Sequence, residues 1–435
     1  PGDWARILAN AKSMAATGEA GLTASTPTST FGSHGTLARD AAFYQLVTAD
    51  GTMLNPVRNF LLAQAGNAAL DFSTTLCITS TSGATGDAYF YPASWLLRYV
   101  VTYDYVRNAM SSADRLTIEN FIRRNAHFLA AHNDALLARN FPSRMVGDYS
   151  KISTSAAPPT DAATWWSKRY DTNGDCIIDG NDAASAYPVY AYVTATGVIG
   201  PRISVLSQWY NNRRSVATAA YGAAGVLLGD ADLIASAKRY FMEWLAYSVW
   251  PDGSQGEYAR NGDYCIAPQG LIYSASNLQG ATGLARLLAR QGDNTLINFT
   301  TTAGLFGSQG TGSTTITAKS IELVAGTHIK LLTGQLNWYY QEPWRTTQNI
   351  SASGSLGNNQ VRYLGSIKVM DDYHELGLLP AAALLPRLPI AGLVLRDKAV
   401  TSLPFPGATG NNVATGYGNW TDAFNALSAV LLLRP

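Results

Sequence analysis

Apolar residues recur at every third or fourth position over long parts of the chain, which is the spacing of amphipathic helices. This pattern covers residues 3–16, 56–72, 92–110, 115–139, 214–228, 231–249, 269–291 and 419–433. No long stretch alternates between apolar and polar residues as a β-strand would, and only residues 314–332 are ambiguous between helix and strand. The sequence therefore predicts an all-α protein.

Three of the joints between these helices look alike. In residues 108–121, 226–241 and 288–299, a helix is followed by a cluster of Gly, Ser and Asp and then by an Asp or Asn that suits the cap of the next helix. Short turns of this kind join antiparallel helical hairpins, which stack in a line or curl into a ring. We predict an (α/α) toroid that forms one domain over residues 1–435, with long inserted loops and the largest insertion at about 142–200.

The nearly equal numbers of basic and acidic residues limit the classes of binding partner that can be expected. The chain has 31 basic and 30 acidic residues and a formal net charge of +1, which gives no electrostatic reason to expect nucleic acid or an anionic membrane. Its most apolar stretch, 376–395, contains three prolines and Arg387, so we expect no membrane span there. Charged residues are few and aromatic residues plentiful, which suits a secreted or periplasmic protein, or one on a cell or virion surface, that handles carbohydrate.

The cysteines do not build a disulfide framework. There are three, Cys77, Cys176 and Cys265, so at most one pair can form a bridge, and the sequence leaves the pairing open.

A twelve-residue acidic segment, DTNGDCIIDGND at 171–182, has the spacing of a calcium-binding loop. Oxygen ligands are expected at loop positions 1, 3, 5, 7, 9 and 12, the seventh being a backbone carbonyl. These positions hold Asp171, Asn173, Asp175, Ile177, Asp179 and Asp182. The segment resembles the calcium loop of dockerin modules, although Cys176 replaces the usual glycine and the second loop of a dockerin is missing. We predict one structural Ca²⁺ here, with an acidic surface turn as the alternative.

Two asparagines and two arginines stand together at the start of a predicted helix, in NNRR at 211–214. The following loop, at 251–270, adds Glu257, Arg260 and Tyr264. Asn, Arg and Tyr are the residues that β-elimination of a uronic acid requires, because amide or guanidinium donors must neutralise the C6 carboxylate before the C5 proton becomes acidic. A tyrosine close to arginine can then transfer the protons. The alternatives are structural: a helix cap at Asn212, a loop ion pair at Arg260 and a packed ring at Tyr264.

This arrangement resembles the toroid-type alginate lyases and related uronate polysaccharide lyases. Their helix-starting Asn-Asn-His corresponds to Asn211, Asn212 and Arg213, their arginine segment to GEYAR at 256–260, and their aromatic-Glu-Pro stretch to LNWYYQEPWR at 336–345. The resemblance implies a lyase that acts on an anionic, alginate-like polysaccharide and needs no metal for the chemistry. It implies a catalytic set of Asn212, Arg213, Arg260 and Tyr264, and substrate contacts from Asn211, Glu257, Trp344 and Arg345.

Aromatic residues before and within the helix at 92–110 are further candidates for sugar binding. Tyr89, Tyr91 and Trp95 lie near the junction of a loop and this helix, which favours sugar contacts, whereas Tyr103 and Tyr105 lie where helix packing is expected.

The sequence departs from the family pattern at the residue that is expected to accept the proton. The family histidine is replaced by Arg213, and arginine stays protonated, so it cannot accept a proton. Either Tyr264 transfers both protons, or a histidine from elsewhere replaces the missing one; the candidates are His127, His132 and His374.

Two other classes of function stay open. A toroid glycoside hydrolase would need two carboxylates that flank the scissile bond, and the available ones are Asp87, Asp104, Asp252 and Glu257. A non-catalytic glycan-binding protein would keep the fold and the aromatic residues without the chemistry.

Overall fold

A computed structural model describes residues 2–75 apart from positions 24 and 27, then 87–140, 210–255, 269–302 and 318–332, together with six short strands. The helices are α1 (Gly2–Thr17), α2 (Thr36–Thr48), α3 (Leu54–Ala65), α4 (Phe72–Thr75), α5 (Asp87–Val106), α6 (Ser112–Asn140), α7 (Asn212–Leu228), α8 (Ala231–Tyr247), α9 (Gln269–Ala289), α10 (Thr295–Asn298) and α11 (Ile321–Leu332). The predicted helical class is confirmed.

The strands are two or three residues long and form three antiparallel pairs. They are β1 (Ser167–Arg169) with β2 (Ala184–Ala186), β3 (Val193–Thr194) with β4 (Gly197–Val198), and β5 (Trp338–Tyr340) with β6 (Gln348–Ile350). The ambiguous segment 314–332 ends as helix α11, and Lys319 before that helix pairs through its backbone with Thr301. No helix in the described ranges combines the length and the apolarity that a bilayer crossing requires.

The three predicted joints all turn the chain between helices, but their capping residues differ. Asp230 accepts a hydrogen bond from the backbone N–H of Leu233 and caps α8, as predicted for the second joint. In the first joint the hydroxyl of Ser111, not an Asp or Asn, accepts from the backbone N–H of Asp114. In the third joint the N-cap of α10 is Asn294, whose side chain makes no capping hydrogen bond, and the carboxylate of Asp293 accepts from the backbone N–H of Thr295 instead.

Helices α5, α7 and α9 form a buried layer, to which α2 also contributes. Nearly every described side chain of α5, α7 and α9 is buried. Most of the side chains of α7 are small, and a side-chain carbon on Gly222 would lie only 3.0 Å from Leu284 of α9. Helix axes approach closely only where the side chains between them are small, so this composition lets several helices surround α7. We call α2, α5, α7 and α9 the inner layer.

Helices α2 and α5 of the inner layer run in the same direction. Gly35, immediately before α2, lies beside the side chain of Arg98, and the ring of Phe43 lies 5.6 Å from the ring of Tyr105. Later residues of one helix therefore contact later residues of the other, as expected for parallel neighbours.

The same argument applies to α7 and α9. The hydroxyl of Ser215 contacts Asn277, and Gly222, about two turns further along α7, faces Leu284, about two turns further along α9. These two helices are therefore parallel.

The C-terminal ends of α5 and α7 also lie together. Arg107, directly after α5, donates a hydrogen bond to the carbonyl of Leu227 at 3.4 Å, and the two helices pack along their length. All four helices of the inner layer consequently begin at the same end of the molecule, which we call the N-terminal end of the layer.

The helices that alternate with the inner layer run the other way. His127 of α6 contacts Asp230, beyond the last turn of α7, whereas Asn133, further along α6, contacts Arg214 in the first turn of α7. Helix α8 follows α7 after a turn of two residues, where Gly229 takes the left-handed conformation. Parallel inner helices with antiparallel partners are what an (α/α) toroid is built from; closure of the ring stays a prediction.

Candidate functional site

The turn that opens α7 is buried. Asn211 has an extended backbone, and its side-chain oxygen accepts a hydrogen bond from the backbone N–H of Arg214 at 3.0 Å, so Asn211 is the N-cap. Asn212 is the first residue of the helix and is fully buried. The interpretation of Asn212 as a plain N-cap is therefore wrong, because its neighbour already fills that role.

The two arginines of this turn have different surroundings. Arg214 is buried between α6 and α7, and its guanidinium donates to the side-chain oxygen of Asn133 at 3.0 Å. Arg213 is half-buried and keeps part of its side chain at the surface. The helix dipole disfavours a cation in the first turn. The hydrogen bond to Asn133 helps to offset this cost for Arg214. Arg213 is the more exposed of the two cations.

Aromatic rings and a buried carboxylate fix the backbone before Asn212. The hydroxyl of Tyr210 donates to the carboxylate of Glu243 at 3.1 Å, and the hydroxyl of Tyr240 donates to the carbonyl of Asn211 at 3.2 Å. The ring of Tyr210 also lies against the rings of Tyr240 and Tyr247. Burial, with a further contribution from the charge of Glu243, raises the pKa of Tyr247. This tyrosine therefore stays neutral at physiological pH.

The aromatic residues of α5 divide into two groups. Trp95 is 1% exposed, and its indole N–H donates to Nδ1 of His34, so no sugar ring can stack on it; its interpretation as a sugar-binding residue is wrong. Tyr103 and Tyr105 are buried, which confirms their role in packing. Tyr91 is half-buried and lies in the second turn of α5, near the N-terminal end of the inner layer.

Tyr91 is therefore near the end of the inner layer where α7 begins with Asn212. The side chain of Tyr89, like that of Asp87, is outside the described residues, although both belong to α5.

Of the alternative bases, His127 lies away from this turn. His127 contacts Asp230 at 2.8 Å, at the far end of α7 from Asn212. The 16 steps between Asn212 and Leu228 correspond to about 24 Å of helix, so His127 cannot serve a reaction centre at Asn212. His132 is half-buried beside Phe128 in α6. His374 lies outside the described residues.

The loop expected to carry the remaining catalytic residues is anchored at both ends. Gln255 is fully buried and pairs through its backbone with Val249, after α8 has ended. The preceding turn is held by α11, where the hydroxyl of Thr327 donates to the carbonyl of Asp252 at 2.8 Å. Gln269 opens α9. Because α8 ends and α9 begins at the N-terminal end of the inner layer, the stretch 256–268 starts and finishes there.

Several predicted site residues lie outside the described part of the chain. They are Glu257, Arg260 and Tyr264 in this stretch, Trp344 and Arg345 after β5, and all six predicted calcium ligands, Asp171, Asn173, Asp175, Ile177, Asp179 and Asp182. Among the residues that the structure describes, no three His, Cys, Asp or Glu side chains are grouped so that they could hold a metal ion.

The carboxylates considered for a glycoside hydrolase do not come together where they are described. Asp104 lies at the C-terminal end of α5 beside Arg107. Asp252 lies near the N-terminal end of the inner layer and accepts two hydrogen bonds from Ser254 of its own turn. Two carboxylates at opposite ends of the helices cannot flank one bond.

The packed helices α7, α8 and α9 carry at one end the residues Asn211, Asn212 and Arg213. Both ends of the 256–268 stretch lie at this same end. A comparison with known families selects the same region. Residues 201–305 match the family model described as alginate lyase. The match covers α7, α8, α9 and the stretch between α8 and α9. It supports a polysaccharide lyase function for this part of the chain and implies an anionic polysaccharide as the substrate. No curated protein matches the chain.

Sequence reasoning missed the residues that hold the opening turn of α7 in place, namely Asn133, Tyr210, Glu243 and Asn277. They come from four separate parts of the chain, and only the fold brings them together. The available signal was weak: Asn133 and Asn277 are amides inside long helices, where asparagine is unfavourable unless its side chain has partners.

Proposed function

We propose that the protein is a polysaccharide lyase that cleaves a uronic-acid-containing polysaccharide by β-elimination. One observation carries the proposal: the Asn211–Arg213 turn and both ends of the 256–268 stretch lie at the N-terminal end of the inner layer, inside the range that matches the alginate lyase family model. This arrangement supports a reaction centre that would combine the Asn211–Arg213 turn with Arg260 and Tyr264.

In the proposed reaction a base removes the proton at C5 of the uronic acid. The electron pair of that C–H bond forms the C4–C5 double bond, the bond from C4 to the glycosidic oxygen breaks, and that oxygen takes up a proton. Negative charge develops on the C6 carboxylate before the leaving group departs. Arg213 would stabilise this charge together with Arg260, because fixed donors lower a barrier most where charge develops. Asn212 is fully buried, so its amide would contribute only where bound substrate displaces the residues that cover it.

Tyr264 is the proposed proton-transfer residue. Arg213 occupies the family histidine position and stays protonated, and His127 lies at the other end of α7. A phenol whose pKa is lowered by neighbouring guanidinium groups can accept the C5 proton and return it to the leaving oxygen. One tyrosine reaches one face of the sugar, so this mechanism favours elimination of groups on the same face.

Ultraviolet absorbance of the reaction products tests the proposal directly. The purified protein would be incubated with alginate, glucuronan, glycosaminoglycans and bacterial capsular polysaccharides, and both the absorbance of the new C4–C5 double bond and the number of new reducing ends would be followed. A lyase raises both. New reducing ends without absorbance would indicate a hydrolase, and retention of a polysaccharide with neither signal would indicate a binding protein; either result would refute the proposal.

We also propose that residues 171–182 bind a structural Ca²⁺. The proposal rests on the ligand spacing, and on the repulsion that four carboxylates in twelve residues would have without a cation. Its place in a long insertion between α6 and α7 suits a role in stability, not in the chemistry.

A further inference from the structure

Asn277 is a buried amide in the middle of an inner helix. It lies in the third turn of α9 and is 0% exposed. Burying an amide without partners costs free energy, and asparagine is a poor residue for a helix interior. A residue of this kind is therefore expected to make specific contacts that offset these costs.

Both ends of the Asn277 amide contact the opening turn of α7. Its oxygen accepts a hydrogen bond from the hydroxyl of Ser215 at 2.6 Å, and its nitrogen donates to the carbonyl of Tyr210 at 3.4 Å. Tyr210 precedes the N-cap, so its carbonyl takes no part in the first helical hydrogen bond, which Asn211 accepts from the N–H of Ser215. Asn277 thus contacts the chain on both sides of Asn212, through the backbone of Tyr210 and the side chain of Ser215.

The surrounding contacts make this connection stiff. Tyr240 of α8 donates to the carbonyl of Asn211, and its hydroxyl lies 3.4 Å from the hydroxyl of Ser215. Close to Asn277 on α9, a side-chain carbon on Gly280 would lie 3.3 Å from the carbonyl oxygen of Ser215, so the backbones of α7 and α9 approach closely. A shift of α9 relative to α7 would therefore move the turn that carries Asn212.

Helix α9 also begins where the 256–268 stretch ends, with Gln269. We propose that Asn277 is a positioning residue, which fixes the turn that carries Asn212 against helix α9. It does not touch the substrate, and it acts through the carbonyl of Tyr210 and the hydroxyl of Ser215. This inference rests on the proposed lyase function for its effect on turnover, but its effect on the turn does not depend on that function.

The test compares Asn277→Ala with Asn125→Ala. Asn125 is a matched control, because it is also a fully buried helical asparagine, and its amide joins two backbone groups of another turn, the N–H of Phe72 and the carbonyl of Leu70, each at 3.0 Å. Both variants lose a bridging amide, so similar losses of thermal stability are expected. Hydrogen exchange of the amides at 211–216 should become faster in Asn277→Ala and stay unchanged in Asn125→Ala.

On a polysaccharide that the parent protein cleaves, and well below the melting temperature of each variant, Asn277→Ala should lower kcat on the order of 10- to 100-fold with KM within a few-fold, since misplacing a catalytic group by about 1 Å has effects of this size. Asn125→Ala should keep kcat. Should Asn277→Ala not fold, Ser215→Ala removes the short hydrogen bond to Asn277, together with the 3.4 Å contact to the hydroxyl of Tyr240, and should shift kcat in the same direction.

Two results would overturn the inference. One is unchanged exchange at 211–216 in Asn277→Ala, whatever the activity; the other is equal loss of kcat in the Asn277 and Asn125 variants. If the parent protein cleaves no polysaccharide, the lyase proposal fails, and the exchange measurement alone still decides whether Asn277 holds the turn.

Discussion

Trp95 of α5 donates its indole N–H to Nδ1 of His34 at 2.9 Å. Because an indole nitrogen only donates, Nδ1 of His34 must be unprotonated, and the proton of the neutral ring is on Nε2, 2.7 Å from the carbonyl of Ala20. Arg98 holds the same segment by donating to the carbonyls of His34 and Gly32. The neutral side chain of His34 therefore links the 18–35 segment to α5 by hydrogen bonds.

The first prediction follows from this hydrogen bond. Burial lowers the pKa of His34 below its ordinary value of about 6.5; the charge of Arg98 acts in the same direction, and Glu19 and the carbonyl of Ala20 oppose it. A group whose pKa is lower in the folded state stabilises the fold above the unfolded pKa and loses that contribution as pH falls. The free energy of unfolding should therefore decrease below about pH 6.5, by at most about 1.4 kcal/mol per pH unit from this group.

Urea unfolding at pH 7, 6 and 5 measures the effect. His34→Gln cannot take up the proton, so it should be less stable than the parent protein at pH 7 and approach it at pH 5. His127→Gln is the control, because His127 is partly exposed on the outer helix α6 and does not hold this segment. Parallel stability curves for the parent protein and His34→Gln would contradict the assignment.

Close packing of α7 against α8 gives a second prediction. A side-chain carbon on Gly225 would lie 2.8 Å from Leu233 and 3.0 Å from the backbone nitrogen of Ile234, which cannot move aside easily. Gly225→Ala should therefore lower the free energy of unfolding by about 1–3 kcal/mol. Gly326 in α11 has no atom within 4 Å of the same position, so Gly326→Ala should be neutral or stabilise by about 0.5–1 kcal/mol. Equal effects of the two substitutions in urea unfolding would argue against this packing.

The sequence predicted most of the long helices, because their apolar spacing is repeated over many residues. Helix α2 was not predicted, and the helix predicted at 419–433 lies outside the described residues. It did not decide which asparagine caps α7, because Asn211 and Asn212 fit the same pattern and differ only in where the first hydrogen bond forms. It also misplaced Trp95. The junction was expected near this residue, but α5 continues through Pro92 back to Asp87, which moves Trp95 to the third turn and into the core.

The supporting contacts of the site could not be predicted from sequence at all. Asn277 lies 62 residues from Ser215 along the chain, and Tyr210 lies 33 residues from Glu243. Pairs so far apart in the sequence leave no periodic pattern along the chain. They come together only because the helices pack against one another. The candidate turn itself was found because four polar residues stand where an alanine-rich helix needs only one cap.

The opening turn of α7 supplies a third prediction, in which adjacent asparagines behave differently. Asn211→Ala removes the N-cap and should lower the free energy of unfolding by about 0.5–2 kcal/mol, whereas Asn211→Ser retains a capping oxygen and should restore most of it. Asn212→Ala should instead reduce kcat by about 100- to 1000-fold, as typical for loss of one donor to developing charge. KM should change much less.

Kinetics on a cleaved polysaccharide, together with melting temperatures, separate these effects. The outcome that contradicts a chemical role for Asn212 is a kcat within a few-fold of the parent protein in a variant that folds normally.

A fourth prediction concerns calcium. Removing Ca²⁺ with a chelator should lower the melting temperature, because the carboxylates of 171–182 then repel one another. Asp175→Ala should lower it as well and make the protein insensitive to chelator. Asp232→Ala, which removes an exposed carboxylate at the start of α8, should leave the chelator effect intact. Calorimetric titration should find one bound Ca²⁺ per chain, and a parent protein that takes up none would refute the site.

The last prediction concerns the proton-transfer residue. Tyr264→Phe removes only the hydroxyl, so it should fold normally and lose nearly all activity. His127→Ala should retain activity, because His127 contacts Asp230 at the far end of α7 from Asn212. A free tyrosine has a pKa of about 10, and guanidinium groups nearby favour the phenolate, so kcat/KM of the parent protein should rise towards alkaline pH. An active Tyr264→Phe variant together with an inactive His127→Ala variant would replace the tyrosine mechanism by a histidine base, and would require the helices to be arranged differently around the reaction centre.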